Sequence, residues 1–138
     1  IILNGLTNAV IVVPFVIDSS VWIEYFTNGP LASKCAPFIE RASPRDFFTP
    51  TIIIYEVYKN VKREKSREEA IQVVAQITSR TTLIQLIDVI AIQAAEVSIV
   101  HKLKMADSII KATADDLNAT LVTLDSDFKN LSKVNLIQ

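Results

Sequence analysis

Sulfur and imidazole are nearly missing from this 138-residue sequence, which has one cysteine, Cys35, and one histidine, His101. A lone cysteine closes no disulfide within the chain and makes no four-thiolate zinc site. A lone histidine excludes the multi-histidine zinc and non-haem iron centres. Any metal held here must therefore be bound mostly by oxygen, which selects hard cations such as Mg²⁺, Mn²⁺ or Ca²⁺. Glycine is scarce too, with only Gly5 and Gly29. Neither a GxGxxG turn nor a Walker A loop can be assembled from two, so classical dinucleotide and P-loop sites drop out. The uncharged stretch Ile1–Ile17 lacks a basic start and carries Asn4, Gly5, Thr7, Asn8 and Pro14, a poor signal peptide and a poor membrane span. Thr82–Val100 is interrupted by Asp88 and Glu96 and belongs in a soluble core. The expected location is the cytoplasm.

Half the residues are hydrophobic, which suits one well-buried domain of ordinary size. There is no internal repeat, linker or low-complexity segment. The formal net charge is −1, at first sight wrong for a nucleic-acid partner. Setting five acids aside (Asp18, Glu56, Asp107, Asp125 and Asp127) leaves the remainder at +4. A cation bound among them would neutralise the cleft itself, so net charge decides nothing.

The first of those acids organises the chain. Val12, Val13, Val16 and Ile17 suit a strand buried on both faces, with Pro14 tolerable only near its start. Asp18 ends that run, followed by Ser19, Ser20 and a helical pattern over Val21–Phe26 that Asn28-Gly29-Pro30 stops. A carboxylate there sits where open α/β sheets bind ligands. Capping of the next helix would also account for it.

Leu31–Arg41 reads as a second amphipathic helix, Ser43-Pro44-Arg45 as a turn, and Phe47-Phe48 as a short strand. Thr49-Pro50 is expected to start the next helix, the hydroxyl capping and the proline taking the first helical position. In that helix Glu56 shares a face with Ile52 and Ile53. A carboxylate in an apolar stripe is costly unless paired or bound to metal. Alternatively, it reaches water or pairs with Lys59 or Asn60. Lys59–Glu69 is densely charged: a solvated helix junction, or an arm contacting phosphates. Glu68–Ser79 is expected to bury Ala70, Ile71, Val74, Ala75 and Ile77.

Thr82–Ile87 is expected as a strand, with Asp88 capping a helix over Val89–Lys102 in which Ile92, Ala95, Glu96 and Ile99 fall at helical spacing. Nothing pairs His101 with a nucleophile, so it reads as a charge at a helix end or an exposed side chain. The helix through Met105–Ala114 carries Asp107 in its first turn, where the dipole alone would favour it. Asn118 ends this helix, and the strand Thr120–Leu124 delivers Asp125, with Ser126-Asp127-Phe128 opening a short final helix and Val134–Ile137 a last strand. Alternating strands and helices imply a parallel sheet covered on both sides, with Asp18 and Asp125 at one edge. Converging carboxylates without histidine or cysteine suit metal-assisted phosphodiester hydrolysis. Ser19 and Thr123 would orient Asp18 and Asp125.

Four pieces in this order carry a family resemblance: Val16-Ile17-Asp18-Ser19-Ser20; Thr49-Pro50 followed by Glu56; Asp107-Ser108-Ile109-Ile110-Lys111-Ala112-Thr113-Ala114; and Leu121-Val122-Thr123-Leu124-Asp125-Ser126-Asp127-Phe128. The chain resembles the PIN-domain nucleases, most of all the VapC-type toxins of toxin–antitoxin pairs. The resemblance implies an α/β/α sandwich on a central, mostly parallel sheet of four or five strands. It implies Mg²⁺ or Mn²⁺ dependence and endonucleolytic RNA cleavage. It also implies a homodimer, and inhibition by a small antitoxin whose tail enters the acidic groove. Asp18, Glu56, Asp107 and Asp125 carry over as catalytic metal ligands, with Asp127 as a further ligand. Family members usually reach the first acid within a few residues of their start, whereas seventeen residues precede it here. The expected domain is therefore 12–138. Residues 1–11 form an extension, and the absence of an opening Met fits missing upstream sequence or foreign first residues.

Other readings keep part of this. The same site could serve RNA processing or quality control, or the domain could bind RNA or a protein partner without catalysis. A haloacid-dehalogenase-like phosphatase would need D-x-D-x-T after the first strand, and Asp18-Ser19-Ser20-Val21-Trp22 does not supply it.

Overall fold

Val16 and Ile17, apolar and fully buried, make the middle strand of the sheet, β1 (Phe15–Ile17). This is a computed structural model, describing residues 13–138. The expectations for residues 1–11 and for Val12 lie outside the described residues. Val13 is exposed and precedes the strand, so only Val16 and Ile17 of the expected apolar run pack in it. The indole of the buried Trp22 donates to the Ile17 carbonyl at 3.1 Å, which pins the turn from β1 into α1 (Ser19–Phe26).

The remaining elements are α2 (Ala32–Arg41), β2 (Phe47–Pro50), α3 (Thr51–Glu64), α4 (Arg67–Arg80), β3 (Thr82–Ile84), α5 (Asp88–His101), α6 (Met105–Asp116), β4 (Thr120–Thr123) and β5 (Val134–Leu136). A single 3₁₀ turn, Ser126–Phe128, follows β4. The five strands pair in parallel in the order β3-β2-β1-β4-β5, as the alternation of strands and helices requires. Successive strands step outward from β1 to β2 and β3, and the chain then returns to place β4 on the other side of β1. The carboxyl ends of β1 and β4 therefore flank a topological switch point, the usual ligand crevice of such sheets.

Several local expectations are corrected. Thr49 does not cap α3: it lies in β2, and its buried hydroxyl is 2.7 Å from that of Thr81, so Pro50 takes the cap position without a side-chain bond. Pairing Thr49 and Pro50 with Leu83 and Ile84 of β3 holds both in the sheet. Strand β3 stops at Ile84 rather than Ile87. On α4 the buried row is Ala70, Val73 and Ile77, spaced three and four apart, and Ile71 and Ala75 face solvent. On α5 the core takes Ile90 and Ala94, while Ile92, Ala95, Glu96 and Ile99 point outward. Asp88 is the first helical residue of α5 and accepts from the Val89 N–H, with Ile87 at the cap. No helix among the described residues is long and apolar enough to cross a membrane.

Candidate metal centre

The site begins where β1 runs out. Register pairs Ile17 with Val122, and the Asp18 N–H donates to the Val122 carbonyl at 2.9 Å. This sets Asp18 beside Thr123 at the end of the neighbouring strand. Asp18 is the N-cap of α1: its Oδ1 accepts from the Ser19 N–H at 2.8 Å. Capping and cleft placement thus coincide in one side chain. Its Oδ2 accepts from Ser20 Oγ at 2.9 Å and Thr123 Oγ1 at 2.7 Å. Burial pushes its pKa above the usual carboxylate value, and these hydrogen bonds offset part of that push.

Thr123 connects two acids. While donating to Asp18, its hydroxyl accepts from the Asp125 N–H at 2.9 Å. Asp125 in turn caps the 3₁₀ turn, its Oδ1 accepting from the Asp127 N–H at 2.9 Å. One polar relay therefore runs from the end of β1 through the end of β4 to Asp127. Ser19 makes the other link. Its hydroxyl donates to Glu56 Oε1 at 2.9 Å, drawing a side chain of α3 toward the end of β1. Asn60 bonds only the backbone carbonyl of Glu56, so the pairing weighed for that carboxylate is replaced by Ser19. Burial raises the Glu56 pKa, and the negative charges of Asp18 and Asp125 add to the rise.

Asp107 enters from the first turn of α6. Burial first, then the charges of Asp125, Asp18, Glu56 and Asp127, raise its pKa to about 6. All five acids named from the sequence thus lie at one cleft, close enough that the charges of the other four raise the Asp107 pKa. Asp107, Asp125 and Asp127 each offer an oxygen within 4.8 Å of the others. Ligand oxygens of one octahedral Mg²⁺ lie about 3 to 4.2 Å apart, so these three would have to draw closer to share an ion. Carboxylates this crowded, supported by hydroxyls and backbone N–H groups, form an oxygen-only donor set that fits a hard divalent cation.

One member of the site was missed. Ser20 Oγ donates to Asp18 and accepts from the Leu124 N–H at 3.1 Å, bracing the acid against the β4 turn. Its signal in the sequence is a second hydroxyl directly after Asp18-Ser19.

The family model described as PIN domain matches residues 15–134. No curated protein sequence matches the chain. Among solved structures, a toxin–antitoxin complex from Klebsiella pneumoniae aligns at 22% identity over 87% of this chain and 94% of its own, with a TM-score of 0.70. The sarcin–ricin-loop-cleaving toxin VapC20 of Mycobacterium tuberculosis aligns at 15% identity over 87% and 96%, with a TM-score of 0.74. VapBC-1 from nontypeable Haemophilus influenzae aligns at 19% identity over 90% and 96%, with a TM-score of 0.66.

Proposed function

Because this chain belongs to the PIN domain family, we propose that it is a divalent-metal-dependent endoribonuclease and the toxin of a toxin–antitoxin pair. The observation that supports this most is the meeting of Asp107, Asp125 and Asp127 within ligand distance, beside Asp18 and Glu56. Asp18, Glu56, Asp107 and Asp125 are the proposed catalytic carboxylates, and Asp127 completes the ligand set. When bound, Mg²⁺ or Mn²⁺ would supply an activated water and neutralise charge on the leaving oxygen of the phosphodiester. The protein's own work is to hold charge in place. Thr123 and Ser20 fix both lobes of one Asp18 oxygen, and Ser19 holds Glu56 across from it. Repulsion among the bare acids leaves a site that gains stability when a cation enters.

Two partners belong to the proposal. One of the solved relatives is a toxin–antitoxin complex and another a toxin, which supports a small antitoxin as the inhibitor. A second copy of the chain is the other. Helix α5 is apolar on nearly every side, yet Ile92, Ile99 and Val100 are more than 60% exposed. A helix of that composition is ordinarily covered all round, which supports a homodimer through this face.

The test is RNA cleavage by the purified chain in Mn²⁺ or Mg²⁺. Cleavage is expected with metal and is expected to vanish in EDTA and in Asp18→Asn, with RNA binding retained by the variant. Equal cutting in EDTA would contradict the proposal.

A further inference from the structure

The charged segment after Glu56 has no part in the metal site, yet it continues the same helix. On α3, Lys59 and Arg63 lie three and seven residues beyond Glu56, on nearly one line and about 4.5 and 10.5 Å further along the axis. Tyr55 and Lys62 stand beside that line, toward solvent. The Lys59 ammonium sits 5.5 Å over the Tyr55 ring, and that of Lys62 lies 5.9 Å over Tyr58. Among the described residues, neither lysine forms a salt bridge, and Arg63 makes two exposed contacts, with the Glu64 carboxylate at 3.2 Å and as donor to Asn60 Oδ1 at 2.9 Å. Exposed contacts of this kind contribute little and let the guanidinium exchange partners.

The N-terminal end of this face opens on a hollow of about 260 Å³ between α3 and α6. Ile52, Tyr55, Ile84, Leu86 and Ile109 give it apolar walls. Ile52 lies one turn before Glu56 and Ile109 two residues after Asp107, so both helices that deliver an acid also wall the hollow. Tyr55, 58% exposed, belongs to the hollow and to the basic surface alike. Alternating cations and aromatic faces, next to a site for a phosphodiester, are what a single strand needs: ammonium and guanidinium groups for its phosphates, a ring for a base.

We propose that this face of α3 is the track for single-stranded RNA on one side of the scissile phosphate, with Lys59, Lys62 and Arg63 holding phosphates and Tyr55 stacking a base at the hollow. The proposal rests on the ribonuclease reading of the acid cluster and assigns the substrate-positioning residues that reading lacks. The cations sit beyond the carboxylates, so they add affinity without entering the reacting centre.

The test uses the full chain and a fluorescein-labelled, unstructured pyrimidine RNA oligonucleotide. Ca²⁺ replaces Mn²⁺ for anisotropy, so that binding is read without turnover, over a series of salt concentrations. Replacing Lys59, Lys62 and Arg63 together by Gln is expected to weaken binding at least ~10-fold. It should also make the slope of log affinity against log salt shallower by about two, near 0.7 for each lost phosphate contact. In Mn²⁺ the same variant should raise KM while kcat stays within about threefold. Tyr55→Ala should weaken binding about tenfold with the slope unchanged, and Tyr55→Phe should restore it. Arg45→Gln, in the turn before β2 at the opposite end of the sheet, should change neither quantity. A triple variant with unaltered affinity and slope, made from a wild type that does cut RNA, would overturn the track and spare the nuclease. A wild type that neither binds nor cuts RNA would overturn both.

Discussion

Thr123 shows how much one hydroxyl carries. It is fully buried, donates to Asp18 and accepts from the Asp125 backbone, so it fixes the spacing of two acids that follow separate strands. Thr123→Val keeps the shape and removes both bonds. The expected result is a ~10–100-fold loss of metal affinity or cleavage, with a stability cost of about 1–3 kcal/mol from the Asp125 N–H left without a partner. Isothermal titration with Mn²⁺ and thermal unfolding read the two effects separately. Thr123→Ser, which keeps the hydroxyl, should recover most of both.

Asp107 gives a pH dependence with a definite sign. Its pKa in the folded, metal-free chain is about 6, against an ordinary value of 3.8, so the folded state holds the proton more tightly. Its contribution to stability is full below the unfolded value and is lost as pH rises through about 6. Metal-free protein is therefore expected to melt a few degrees higher near pH 5 than near pH 7.5. Mn²⁺ should reverse that order, because cation binding needs the carboxylate and strengthens as the proton leaves. Asp107→Asn should flatten both trends in a melting series.

Among the elements, α5 was the hardest to read and α6 the easiest. Apolar residues occur on every side of α5, so periodicity selects no core face, and spacing chose the solvent side, Ile92 and Ile99, over Ile90 and Ala94. Only packing against α6, through Ile90, Ala94 and Ala112, distinguishes them. The two faces should respond differently. Ile90→Ala is expected to cost about 2–5 kcal/mol of stability in denaturant unfolding. Ile92→Glu with Ile99→Glu should leave the unfolding of the single chain within about 0.5 kcal/mol while abolishing self-association in sedimentation. Dimers that persist in that variant would move the interface elsewhere. A related ambiguity affected Thr49-Pro50: a hydroxyl before proline is a sound cap signal, but the Thr81 hydroxyl, thirty-two residues away in sequence, claimed it. Local patterns say nothing of such partners.

At the scale of the whole molecule, the sheet order is what brings the site together. Asp18 and Asp125 are far apart in sequence and adjacent in space because β1 and β4 are neighbours and point the same way. That much was legible in the sequence, since each acid closes a buried strand and right-handed parallel crossovers send such ends to one edge. Glu56 and Asp107 were legible as acids on helices, but their reach into the cleft depended on Ser19 and on burial that no spacing rule supplies. The bracing by Ser20 was hidden for the same reason: its second partner, the Leu124 N–H, comes from the turn after β4.

The central claim is that these carboxylates jointly hold one kind of cation, and crystals soaked in MnCl₂ test it directly. Data at the manganese absorption edge should give an anomalous peak among Asp107, Asp125 and Asp127, on the side facing Asp18 and Glu56. That peak should be absent from an Asp125→Asn crystal soaked in the same way. Manganese bound elsewhere, with this cleft bare at saturating concentration, would contradict the account.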